Sequence, residues 1–428
     1  MAITGNNLAR CLRPSAVLAV LAALLATMYL GYIVDPEKNL RDFPVGLVNL
    51  DVGDVVGGQQ VNVGDQIAAS MAQQIPADKV DLRQMGLPEL HREMLNGTIY
   101  GAVVIPSDFT KRLSILGTAS VVPGDVERPV ITIETNPAAG AYTTQILLRI
   151  TTQATDAANR EVGAQLLDQV QGELQSASDA PATQLSGVSR LGLAEPISVV
   201  VVPFRTLPDG AGGGLSAFFY TLLLLLAGFT GAMIIHSMVD SSLGFAPTEY
   251  GPWYVHYPPT PISRVRTLLL KWGILVAVAP VVSGIYLAVA TLLGMSIQRA
   301  PMLFLYGILA MVAVGVTALS VLAIFGAAGL LINLIVFIVL GLPSAGGTVP
   351  IEATPRPLEW LSTFEPMHQI FIAVRAILYY DARASSGLAQ GVWMALLGLL
   401  IGLVIGLAAT SFYDRKGLER RSVSTAGK

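Results

Sequence analysis

The sequence predicts an α-helical membrane protein with six transmembrane helices, one before and five after an inserted α/β domain. Three observations predict it. The 428 residues are 53% hydrophobic and only 13% charged, with a mean hydropathy of +0.61, too apolar for a soluble chain of this length. Six segments, near 14–34, 215–238, 267–294, 302–325, 328–343 and 389–412, reach or approach the roughly 20 apolar residues that cross about 30 Å of hydrocarbon. Between the first two, residues 35–213 carry 12 Lys or Arg against 21 Asp or Glu, whereas the rest of the chain carries 14 against 8.

Residues 1–34 supply an N-terminus and the first span. Arg10 and Arg13 flank an apolar run longer than the roughly 7–15 residues of a secretory signal core. The run meets Asp35-Pro36-Glu37 with no small-x-small site, so an uncleaved anchor is expected. Lys and Arg near span ends set orientation. Arg10 and Arg13, then Arg264 and Arg266, then Arg415, Lys416, Arg420, Arg421 and Lys428 share one side only with six spans and both termini cytoplasmic. In a plasma membrane this puts 35–213 outside. Cys11 is the single cysteine, so no internal disulfide holds that domain. The four histidines show no metal-ligand spacing.

Within 35–213, FPVGLVNLD (43–51), IYGAVVIP (99–106), PVITIET (129–135) and ISVVVVPF (197–204) read as strands, rich in Val and Ile and bounded by Pro, Gly or Asp. LPELHREMLNG (87–97) reads as a helix closed by glycine, and SDFTKRLSIL (107–116) as one opened by Ser-Asp. Residues 139–175 read as one or two amphipathic helices. The glycines of VGDVVGGQQVNVG (52–64) suggest a mobile loop, since no GxxxxGK[ST] occurs in the chain. The domain's carboxylates are dispersed and form no catalytic constellation.

Residues 214–412 form the five-helix membrane domain, followed by a basic cytoplasmic tail, 413–428. Polar residues within spans are costly and default to functional hypotheses. His236 and Lys271 lie near span ends, where snorkelling or interfacial anchoring is expected. Asn333 lies deeper and is expected to make a helix–helix hydrogen bond. Asp240 and Asp414 fall at span ends, and no intramembrane carboxylate pair suggests a proton-coupled carrier. LPSAG (342–346) misses the GxSxG pattern because Leu342 holds the first glycine position, and HExxH is absent. The expectation is therefore no enzyme, no cofactor in this chain and no nucleic-acid partner, with any ATP hydrolysis left to another subunit.

The loop VDSSLGFAPTEYGPWYVHYPPTPISRVR (239–266) is proline-rich, with Trp253, Tyr254 and Tyr257 suited to an interface. Its Glu249, Gly251, Thr260, Pro261, Ile262, Ser263 and Arg264, followed by Lys271, resemble the first cytoplasmic loop of type-2 ABC exporter permeases. Tyr250 and Trp253 depart from that pattern. The resemblance implies that the loop contacts a nucleotide-binding subunit. PVGLVNLDVG (44–53), GAVVIPSDFTKRL (101–113) and LPDGAGGGLSAFFYTLLLLLAGFTGAM (207–233), in that order, resemble the YhgE/Pip family and the related fungal nitrosoguanidine-resistance proteins.

The fifth apolar run ends in GLPSAGGTVP (341–350). Pro343, Gly346, Gly347, Pro350, Pro355 and Pro357 forbid continued helix. Apolar residues then recur at helical spacing from Leu358 to Leu378, among Arg356, Glu365, His368, Arg375 and Arg383, with Pro366 splitting the run in two. In the families resembled, this is an outer segment that re-enters the interface as short helices, here 343–388. Irregular backbone at membrane depth survives only where protein or water covers it, so the break is expected to line a cavity or a subunit interface. A plain outer loop with a surface-lying helix is the alternative. The expected function is a homodimeric, permease-like subunit exporting a lipid-like or amphipathic substrate, in contact with membrane lipid and a cytoplasmic ATPase. A receptor or scaffold without transport is the alternative. Ion-driven efflux, a third reading, would need a proton- or ion-binding site that the sequence does not display.

Overall fold

The computed structural model describes residues 5–56, 58–119, 127–176 and 187–418. Arg420, Arg421 and Lys428 of the expected basic tail lie outside them. The chain opens with helix α1 (Gly5–Ile33). Strand β1 (Phe43–Asn49) follows, then a short hairpin, β2 (Asp54–Val56) and β3 (Gln59–Val61), and helix α2 (Val63–Gln74). Next come β4 (Val80–Gln84), α3 (Leu87–Asn96), β5 (Gly101–Ile105), α4 (Phe109–Ala119) and β6 (Val130–Thr135). The long α5 (Ala141–Ser176), α6 (Gly187–Ala194) and β7 (Ser198–Pro203) complete the region.

These elements form one compact unit, Glu37–Leu207. Its five-stranded sheet has the order β4-β1-β5-β6-β7 and is parallel except where β5 meets β6. β1 and β5 are buried along their lengths, as central strands covered on both faces should be. β6 alternates and covers one face. On α3, Leu90 and Met94 pack over Val48, Ala102 and Val104, and the helix ends on Gly97 at φ +74°. All four expected strands form. The glycine-rich 52–64 does not stay a loop: it folds into the β2–β3 hairpin, and Asn62 caps α2 by accepting from the Asp65 amide.

Asp51, at the end of β1, organises this unit. Its carboxylate accepts from the amides of Gly64 (3.0 Å) and Thr110 (3.2 Å) and from the Thr110 hydroxyl. One buried negative charge thus serves the first turns of α2 and α4, where orphan amides and helix dipoles favour it. Two of the motifs quoted above, 44–53 and 101–113, meet at this contact.

The second unit comprises Met1–Pro36 and Pro208–Lys428. After α1 it contains α7 (Leu215–Ser242), a hairpin of β8 (Thr248–Tyr250) and β9 (Trp253–Val255), α8 (Arg264–Leu292) and α9 (Ala300–Phe325). The fifth apolar segment starts as α10 (Ala327–Leu334), widens to a π-helical turn over Ile335–Leu340 and closes as α11 (Gly341–Ser344). Then come α12 (Arg356–Ser362), α13 (Pro366–Tyr379) and α14 (Leu388–Arg415). Six helical segments are long and apolar enough to cross a membrane: Ser15–Ile33, Gly212–Ser242, Arg264–Leu292, Ala300–Phe325, Ala327–Ser344 and Leu388–Arg415. Phe218, Leu224, Leu225, Trp272, Tyr306, Val314 and Phe371 are among the residues of a core that α7, α8, α9, the π-helical turn and α13 share.

Candidate functional site

Three groups of polar residues stand out in the membrane unit. The first joins α7 to α8. Lys271 is 1% exposed; its Nζ donates to Asp240 Oδ1 at 2.7 Å and lies 3.0 Å from His236 Nδ1. His236 Nε2 lies 3.3 Å from Asp240 Oδ2. An imidazole protonated on Nε2 satisfies both contacts, accepting from the ammonium and donating to the carboxylate. Lys271 therefore does not snorkel to an interface, and His236 is not a lone anchor. The counter-charge, Asp240, lies in the last turns of α7. Its i,i+4 spacing from His236 was the one legible signal; Lys271 comes from the next helix. Asn333, 1% exposed, donates from Nδ2 to the Ala318 carbonyl of α9 at 3.0 Å.

The second group is the α7–α8 loop. Gly244, at φ +75°, turns the chain where a Cβ would meet the Tyr257 and Pro258 carbonyl oxygens at 2.5 Å, so only glycine fits. Thr260 donates its amide to the Leu243 carbonyl at 2.9 Å, closing the loop at its base. Glu249 and Gly251 sit on the β8–β9 hairpin, with Trp253 and Tyr254 75% and 72% exposed. Pro261, Ser263 and Arg264 lie apart from the hairpin strands and line a cavity of about 520 Å³ with Asp414. Ser263 caps α8, accepting from the Arg266 amide. Asp414 of α14 accepts from the amides of Arg264 (2.9 Å) and Val265 (3.1 Å), a charge at a helix N-terminus. Arg264 donates from Nε to the Leu418 carbonyl at 2.9 Å and stacks over Tyr413. The loop's exit is thereby fastened to the sixth span.

The third group surrounds the break in the fifth span. The π-helical turn receives a donor from α1, the Tyr29 hydroxyl on the Ile338 carbonyl at 2.9 Å. Pro343 is buried in α11, Gly346 takes φ +73°, and Pro350 leads into a short 3₁₀ turn. Gly347 lies so close to α7 that a Cβ would meet Phe218 Cδ2 at 2.3 Å. Pro366 takes the first position of α13, where its missing amide costs nothing, and Glu365 caps the helix by accepting from the His368 amide at 3.1 Å. His368 Nδ1 reaches back to the Ala345 carbonyl at 2.9 Å. Burial pushes the Glu365 carboxyl up to about 8 and the His368 imidazole down to about 4.

A surface-lying helix would keep one face open, yet α13 buries residues on every side, including Met367, Gln369, Phe371 and Arg375's neighbours Val374 and Ala376. Its link to α12 walls a cavity of about 290 Å³ whose lining includes Ala313, Val314, Thr317, Phe337, Phe364 and Gly398. The polar groups of that lining are satisfied inside the protein. Thr317 donates to the Ala313 and Gly398 carbonyls, and Gln369 donates to the Ser362 and Thr363 carbonyls while accepting from Gln390. Among the described residues no cluster of His, Cys, Asp and Glu could hold a metal ion.

Six apolar helices, a broken fifth segment and a separate α/β unit define a multi-pass helical membrane protein. The chain belongs to the family described as protein of unknown function, DUF3533, whose profile matches residues 16–402, from the first span into the sixth. No curated protein matches it.

Proposed function

We propose that this chain is a permease-like membrane subunit that exports a lipid-like or amphipathic substrate. The observation that carries this reading is the apolar cavity beside the broken segment. Its polar lining groups already have partners, so a guest gains nothing by offering hydrogen bonds and is selected for hydrocarbon. Phe364, Leu397 and Ile401, on its rim, are 45–47% exposed, which suits entry from the side. In this reading the chain has a 1+5 arrangement in the plasma membrane, with both termini cytoplasmic and Glu37–Leu207 outside, as the Lys and Arg distribution favours. A separate ATPase supplies energy through the α7–α8 loop, whose exposed Trp253 and Tyr254 suit a protein contact. The fastening of Arg264 to Asp414 would carry movement of the loop into α8 and α14. Two copies would flank the path.

The test is lipid movement in vesicles. Full-length protein, purified with the partners it retains, should move a short-chain fluorescent phosphatidylcholine between leaflets when ATP is added. Ala313→Trp, which fills the cavity, should slow this at least tenfold while the protein stays folded. A preparation that retains no ATPase and moves no lipid would remove the reading.

A further inference from the structure

One carboxyl of the membrane unit has no counter-charge. Glu365 is 2% exposed, and while its Oε2 accepts the His368 amide, its Oε1 is enclosed and meets no donor. It abuts the break in the fifth span: a methyl added at Gly341 would lie 2.9 Å from Oε1. The elements packed around it bring no cation to bind it. Residues 335–344 of the π-helical turn and α11 contain no titratable side chain. On α13, His368 turns to the Ala345 carbonyl, and Arg375 lies over the Phe371 and Tyr380 rings at 5.3 and 5.8 Å. α12 contributes Arg356 and Glu359, the turn before it Glu352, and α9 the Tyr306 hydroxyl, directed at the Gln369 carbonyl. Among the described residues none forms an ion pair with Glu365.

A carboxylate in that place loses its hydration and recovers little, whereas a neutral carboxylic acid loses far less. The same short stretch has a second face. Phe364 and Pro366, on either side of Glu365, line the apolar cavity with Gln369 and Ile370. Whatever brings water to Glu365 must shift this stretch, and a shift reshapes the cavity wall.

We propose that Glu365 is a proton-binding site: with its proton bound, the α12–α13 link seats against the break in the fifth span, and on losing it to water the link unseats and the cavity wall moves. The proton leaves as hydronium or on a buffer base, and no other bond changes. This goes beyond the export reading and stands without it, since proton binding is measured directly. It would give the chain its own point of contact with a proton gradient.

The experiment follows the infrared carbonyl stretch of protonated carboxyls in the full chain, held in lipid nanodiscs, from pH 6 to 10. Ordinary carboxyls ionise near 4 and are silent there. Wild-type protein should show one band that fades with a midpoint near 8, and E365Q should lack it. Amide exchange over residues 335–370 should rise between pH 7 and 9.5 beyond the intrinsic base-catalysed increase in wild type, and stay at the intrinsic increase in E365Q. A band that E365Q leaves in place, or equal exchange in both proteins, would overturn the proposal. Should E365Q fail to fold, the wild-type titration still decides: no band fading between pH 6 and 9 means no proton is held. Gly341→Ala, pressing on Oε1, should move the midpoint, and an unmoved midpoint counts against this carboxyl.

Discussion

At the scale of single residues, burial sets the chemistry of the break. The folded value of Glu365, about 8, lies above its ordinary 4.5, so the stability it contributes is complete below about 4.5 and is lost as pH rises through 8. His368 behaves oppositely. Its folded value, about 4, lies below 6.5, so its contribution is complete above 6.5 and is lost as pH falls through 4. The two slopes oppose each other between about 4.5 and 6.5. From 6.5 to 8 only Glu365 of this pair titrates, and its contribution to stability should fall by about 1.4 kcal/mol per pH unit. In E365Q denaturation midpoints should climb from pH 4 to 6.5 and then level off; a wild-type profile flat to pH 9 would contradict this. Lys271 presents a different balance. Lys271→Met removes the buried ammonium 2.7 Å from Asp240 and should cost about 3–5 kcal/mol, whereas adding Asp240→Leu should restore most of it. If the double variant is as unstable as the single, the pair matters for more than charge.

At the scale of elements, the sequence is informative where one residue type decides and silent where partners come from elsewhere. The strands at β1, β5, β6 and β7 were legible as Val- and Ile-rich runs, and the break after the fifth segment as a cluster of Pro and Gly. β4, VDLRQ, carries no strand signature because three of its five residues are polar, as suits a sheet edge paired only to β1. The glycine-rich 52–64 reads alike as a mobile loop and as a hairpin, since both use glycine. The Lys271–Asp240 pair was illegible because its members lie on different helices, and the cavity because its walls come from α9, the π-helical turn, α13 and α14. Gly347 was legible as a helix breaker but not as the contact on which α7 rests. Gly347→Ala would drive a methyl into the Phe218 ring and should cost about 1–3 kcal/mol. Phe218→Ala should shrink that cost, which a double-mutant cycle measures directly; an undiminished cost would place the strain elsewhere.

At the scale of the molecule, the chain divides into two units, each with its own core, and that division has a measurable consequence. Glu37–Leu207 holds a five-stranded sheet covered by helices, and with Cys11 the only cysteine, no disulfide can stand in for that core. A fragment of these residues should therefore fold alone and unfold in one cooperative transition by circular dichroism. Asp51 is the sensitive point: Asp51→Ala leaves the amides of Gly64 and Thr110 buried without their acceptor and should cost about 3 kcal/mol. That cost should be the same in the fragment and in the full chain. It should also add to the cost of Gly347→Ala without interaction, as substitutions at separate sites do within about 0.5 kcal/mol. A fragment that unfolds gradually would mean that the α/β unit borrows stability from the helices. A coupling energy well above that limit would mean that a change at Asp51 is felt at the broken span, and the two units would then have to be treated as one machine.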